Sequence, residues 1–130
     1  MATRKRVVEA VPRKRRAPEL ESIKVLVMPD EDPDPSYLDQ DEFEERLAAY
    51  KRGDFSFVGV RAEAAVIIDG VVQTLTSGGL YGIESDSDKA YFEEVGAEEW
   101  DGLRQILKTV GVATDQLPQG FDPQWLEWRA

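Results

Sequence analysis

Three carboxylates, Glu84, Asp86 and Asp88, alternate directly after the glycine-rich stretch Ser77-Gly78-Gly79-Leu80-Tyr81-Gly82-Ile83. Oxygen ligands at that spacing could share a hard cation such as magnesium or calcium. With Glu63 they would supply the charge of a metal-dependent hydrolase. That chemistry also needs a group to activate water. The chain has no histidine and no cysteine, so the commonest general base, the commonest transition-metal ligand and any thiolate are missing. Only Lys89 stands nearby. Helix capping accounts for the same residues more simply, since Ser85 or Asp86 is a good N-cap and Ser85 with Asp88 has the spacing of a capping pair. No catalytic residue and no cofactor is therefore assigned, and Glu84, Asp86 and Asp88 stand only as the weak metal candidates.

A second acidic group, Asp30, Glu31, Asp32 and Asp34, also alternates, but it lacks the glycine and the closing glutamate of a calcium loop, and Pro33 and Pro35 deny it regular structure. It continues into Asp39, Asp41, Glu42, Glu44 and Glu45, making nine acids with no base among them. The plain reading is a solvated face. The functional reading is a surface resembling a phosphate backbone, on which Asp30, Glu31, Asp32, Asp34, Asp41, Glu44 and Glu45 meet a protein that ordinarily binds DNA. The opposite charge collects at the N-terminus in Arg4, Lys5, Arg6, Arg13, Lys14, Arg15 and Arg16. Residues 1–18 carry a net +6, which leaves −16 for the rest of a chain whose total is −10. Such an arm binds nucleic acid by counterion release, docks on a partner, or merely solubilises.

Elements must position these groups. Ile23, Val25 and Val27 alternate with Lys24, Leu26 and Met28 in a first strand closed by Pro29. Phe43, Leu47 and Tyr50 recur at helical spacing from Asp39 to Arg52, acids lead and bases end that segment, and Gly53 stands at the C-cap. From Phe55 to Ile68 the even positions Val58, Val60, Ala62, Ala64, Val66 and Ile68 form an apolar face. Asp69-Gly70 then signals a two-residue hairpin, which sets Ile68 against Val71, Val66 against Gln73, Ala64 against Leu75 and Ala62 against Ser77. Beyond Ile83, Tyr91, Val95, Trp100, Leu103, Ile106, Leu107 and Val110 mark a second helix ending at Gly111, with Gly96 as a point where it could bend. Asp122-Pro123 opens a short last helix bearing Trp125, Leu126 and Trp128, packed on the sheet or anchoring a partner.

The expected architecture is α+β: an antiparallel three-stranded sheet with two helices packed on one face, a disordered basic N-terminal arm and a short aromatic C-terminal helix. The arm takes residues 1–20, the domain 21–112 and the tail 113–130. No apolar run approaches the roughly 20 residues of a membrane span, and a cytoplasmic protein is expected.

Gly78 and Gly79 at the end of the returning strand suggest a bulge or a close approach by another backbone or side chain. Capping uses neither, so the segment reads as an interaction edge, with Gly78, Gly79, Tyr81, Glu84, Trp125 and Trp128 as partner-binding candidates. The stretch Ser77 to Asp88, the later Tyr91, Glu94, Val95 and Leu103, and Gly59-Val60-Arg61-Ala62-Glu63-Ala64 resemble a family of short proteins from bacterial plasmids, integrative elements and phages. The family pattern usually has tryptophan at the position of Tyr81, and the resemblance spans roughly residues 23–111. It brings no catalytic residue and implies a mobile-element accessory protein. The expected function is non-enzymatic: binding a protein partner, such as a host defence or DNA-processing protein, through the acidic surface. The alternatives are a regulator that holds nucleic acid through residues 1–18 and the carboxylate hydrolase.

Overall fold

The structure, a computed structural model, describes residues 16–130. The expected nucleic-acid contacts Arg4, Lys5, Arg6, Arg13, Lys14 and Arg15 lie outside the described residues, and Arg16 is exposed. The described residues are α+β, with two α-helices and a five-stranded mixed sheet where an antiparallel three-stranded one was expected.

The central strand is β2 (Phe57–Ile68), whose even positions from Val58 to Val66 are buried as their alternation requires, with Ile68 half-buried at its end. On one side it pairs antiparallel with β1 (Glu19–Pro29). On the other it pairs with β3 (Val71–Thr76) along its C-terminal half and with β4 (Leu80–Glu84) along its N-terminal half. The hairpin register is the expected one: Ile68 faces Val71, Val66 faces Gln73 and Ala64 faces Leu75. Asp69 and Gly70 both take positive φ, as this turn demands. The short turn expected after Asp122-Pro123 is present as a 3-10 turn, Pro123–Trp125, capped by Asp122, but Leu126 and Trp128, expected to continue it, form a fifth strand, β5 (Leu126–Trp128), parallel to β1, so the tail belongs to the sheet. β1 begins at Glu19, inside the segment expected to be an arm, and an irregularity between Leu20 and Ser22 breaks its alternation there. Leu20 and Ile23 consequently both pack on the core although three positions separate them.

α2 (Lys89–Thr109) lies over the face of Val58, Val60, Ala62, Ala64 and Val66. Its buried stripe is Phe92, Val95, Gly96, Trp100, Leu103 and Leu107; Tyr91, Ile106 and Val110, expected on that stripe, are exposed. The helix runs unbroken through Gly96, where a Cβ would lie 2.9 Å from Cζ of Phe121, so the glycine admits an aromatic ring against the helix backbone. The N-cap is Asp88, whose carboxylate accepts from the Tyr91 amide at 3.0 Å, and not Ser85 or Asp86.

α1 (Glu44–Arg52) is shorter than expected, since Pro35–Asp39 and Asp41–Phe43 form separate 3-10 turns with extended Gln40 between them. Gly53 closes the helix in the left-handed conformation. α1 does not share a face with α2. Its Leu47 and Tyr50 join Tyr37, Leu38, Phe43, Phe55 and Phe57 in a second apolar cluster. Phe57 adjoins core-facing Val58, so strand alternation sends it to the opposite side of the sheet.

Candidate protein-binding face

The outer edge of β2 is shared by β3 and β4 because the chain between them is held by side chains. Ser77 is buried: its amide donates to the Ala62 carbonyl at 3.0 Å, and its Oγ accepts from the Ala62 amide at 2.9 Å. The same hydroxyl donates to Oε1 of Glu99 at 2.7 Å, and the Gly79 amide donates to that oxygen at 2.8 Å. One carboxylate of α2 thus clamps the break in the edge. Gly79 and Gly82 sit at φ +87 and +78, where a side chain is strained. The close approach expected at Gly79 is made by the chain's own Tyr81, whose Cε2 lies 2.8 Å from where a Cβ would stand, and the same ring lies closer still to Gly59, with Cδ1 2.0 Å from where its Cβ would be. Gly78 has open space around it, and nothing in the structure explains a glycine there.

The acids that follow are spoken for. Arg46 of α1 donates from Nη2 to Oε1 of Glu84 at 2.6 Å, and forks onto Asp86 at 2.9 and 2.8 Å. Its guanidinium lies over the Phe55 ring, 3.8 Å from the centroid. Tyr37 donates its hydroxyl to Oε2 of Glu84. Burial, then that hydrogen bond, pushes the Tyr37 phenol up to about 12. The hydrogen bonds from Arg46 hold Asp86 below the ordinary carboxylate range. Glu84 and Asp86 therefore join α1 to the end of β4, while Asp88 caps α2. Glu63 sits far along β2, beside β3. Among the described residues no group of three or more acids is placed to hold a metal ion.

The remaining acids face water. Asp30 is the exception, half-buried, with its carboxylate accepting from the amides of Asp32 and Gly82, both at 3.0 Å. This ties the acidic loop to β4. Asp34 caps the first 3-10 turn through the Ser36 amide at 3.1 Å, and those hydrogen bonds lower its pKa. Glu31, Asp32, Asp34, Asp39, Asp41, Glu42, Glu44 and Glu45 are all exposed. The ion pairs among the described residues leave all eight out.

Beside them an open groove of about 570 Å³ follows β4, lined by Tyr37, Leu80, Tyr81, Glu84, Asp88 and Tyr91 among others. Leu80, Tyr81 and Tyr91 are each at least 40% exposed there. The fold thus brings the acidic run, Tyr81 and Glu84 to one region. The two tryptophans lie elsewhere: Trp125 packs edge-on against Trp100 at 5.3 Å, while Trp128, half-exposed, meets Phe92 at 5.4 Å by the outer strand β5. Tyr37, Arg46, Leu80, Tyr91 and Glu99 were not singled out in the sequence as site residues. Arg46 alone had a signal, as the first base after nine acids.

No family model, curated protein or solved structure matches the chain.

Proposed function

We propose that this chain is a non-enzymatic accessory protein, of the kind carried by mobile elements, that binds the cationic surface of a protein partner. The observation that carries the reading is the set of eight exposed carboxylates that the ion pairs among the described residues leave out, in a run tied through Asp30 and Tyr37 to a groove rimmed by Leu80, Tyr81 and Tyr91. Exposed aromatics anchor protein interfaces, and a one-signed rim steers an oppositely charged partner. A partner suited to this surface ordinarily meets a phosphate backbone. A host defence or DNA-processing protein fits that description, and occupying its nucleic-acid surface would inhibit it.

The experiment is affinity capture from nuclease-treated bacterial lysate with the full chain and with a D41N/E44Q/E45Q variant. Capture of a basic protein, weakened by added salt and lost in the variant, is the expected result. Retention of the same partner by the neutralised variant refutes the acidic surface. Direct, salt-sensitive binding of DNA that vanishes when residues 1–18 are deleted would favour the regulator that works through its basic arm.

A further inference from the structure

Among the described residues β3, β4, β5 and the part of β1 that β5 leaves uncovered border this sheet, and all but β3 carry a usual protection against pairing with another chain, β1 through Glu19, Glu21 and Lys24. β5 has three residues, with Glu127 in it and Arg129 beside it. β4 is distorted by its register shift against β2 and by Gly82 at φ +78. β3 has neither device. It is six residues, Val-Val-Gln-Thr-Leu-Thr, regularly paired with β2, with Val71 and Val72 more than half exposed. From Gly70 to Ile83 there is not one charged residue, in a chain where 32% are charged. An exposed, uncharged, regular edge of strong strand formers is an interface or a hazard.

We infer that β3 is the contact through which two copies of this chain pair edge to edge, antiparallel about a two-fold axis, into one continuous sheet. The occupant follows from charge. Each copy carries −10, so two copies repel wherever their acids face one another. β3 is the edge on which a strand can lie beside itself without setting like charges opposite.

The backbone is prepared for it. The Ser77 amide points inward to Ala62, and strand alternation points those of Val71, Gln73 and Leu75 inward as well. The amides and carbonyls of Val72, Thr74 and Thr76 therefore point outward. A two-fold axis at Thr74 sets Val72 against the second copy's Thr76 and engages all three. Because both copies use the same edge, the assembly closes at two and does not propagate. The inference does not depend on the partner reading, since β3 holds no carboxylate.

The test is the mass of the full chain in solution, by light scattering or sedimentation across a dilution series. The expected value is twice 14.6 kDa. T74P removes an amide that β2 does not use, and T74K sets two like charges directly opposite one another across the axis. Each is expected to raise the dissociation constant by about tenfold or more while circular dichroism and melting keep the folded signature. A wild-type chain that stays at 14.6 kDa up to about millimolar concentration overturns the inference. So does a dimer that both folded variants leave undiminished.

Discussion

Replacing Gly59 by alanine should destabilise the protein through Tyr81. The new Cβ would stand 2.0 Å from Cδ1, 2.3 Å from Cε1 and 2.8 Å from Cγ of that ring. Contact so close to the base of the side chain cannot be relieved at its tip, so the ring must change rotamer and leave the sheet. Tyr81 is 43% exposed, so a little over half of it is covered. For an aromatic residue that is roughly 100 Å², or about 2.5 kcal/mol at about 25 cal/mol per Å². Removing a glycine from a strand returns about 0.5–1 kcal/mol, which leaves a net loss of about 1.5–2 kcal/mol. Urea denaturation of G59A, Y81A and the double variant measures this. Y81A alone should lose about 2 kcal/mol, and the double variant should lose no more than either single one, because the added methyl group then fills space that the ring has vacated. Additive losses in the double variant, or a neutral G59A, would refute the argument that the glycine exists for the ring.

The two glycines of α2 should respond oppositely to alanine. G102A has open space and should gain up to about 1 kcal/mol, whereas G96A meets Phe121 and should lose stability, both read from thermal melts. Tyr37 is raised from its ordinary value of 10.0 to about 12, so its neutral form stabilises the fold below pH 10 and that contribution is lost between about pH 10 and 12. Ultraviolet titration should show one tyrosinate step near pH 12 that moves down in E84Q. Asp86 is lowered, so its contribution is present above its ordinary value of 3.8 and lost as pH falls below it. R46A should remove that acid-side slope at a cost under about 1 kcal/mol, because the pair is exposed to solvent. R46K should restore it only in part, since an ammonium keeps the charge but cannot reproduce the planar two-nitrogen fork onto Asp86. An unchanged acid limb in R46A would count against the network.

The parts legible in the sequence were those ruled by short-range periodicity. The β2–β3 register followed from Asp69-Gly70 and the even apolar positions, and Gly53 marked the end of α1. What escaped depended on partners distant in the chain. β4 looked like an exit because Gly82 interrupts it, yet it is held by β2, and β5 is too short for alternation to register. The stripe of α2 was misjudged because Tyr91, Ile106 and Val110 are apolar but exposed, while Gly96 is buried under Phe121. At the site, the acids were visible from composition. Their division into those bound by Arg46, those that cap, and those left to solvent was not, since it rests on contacts such as Arg46 to Asp86, forty positions apart.

The break at Ser77 and Gly79 also divides the molecule's stability. β3 holds residues 63–68 of β2, while β4 holds 57–60 and is stitched through Glu84 and Asp86 to α1. The two halves of this edge share few bonds beyond those clamped by Glu99. Amide hydrogen exchange should therefore resolve two cooperative units, one of β4 with α1 and one of β3 with the hairpin, each opening without the other. In E99A the amides of Ser77 and Gly79 should exchange first, which would identify that carboxylate as the seam between the units.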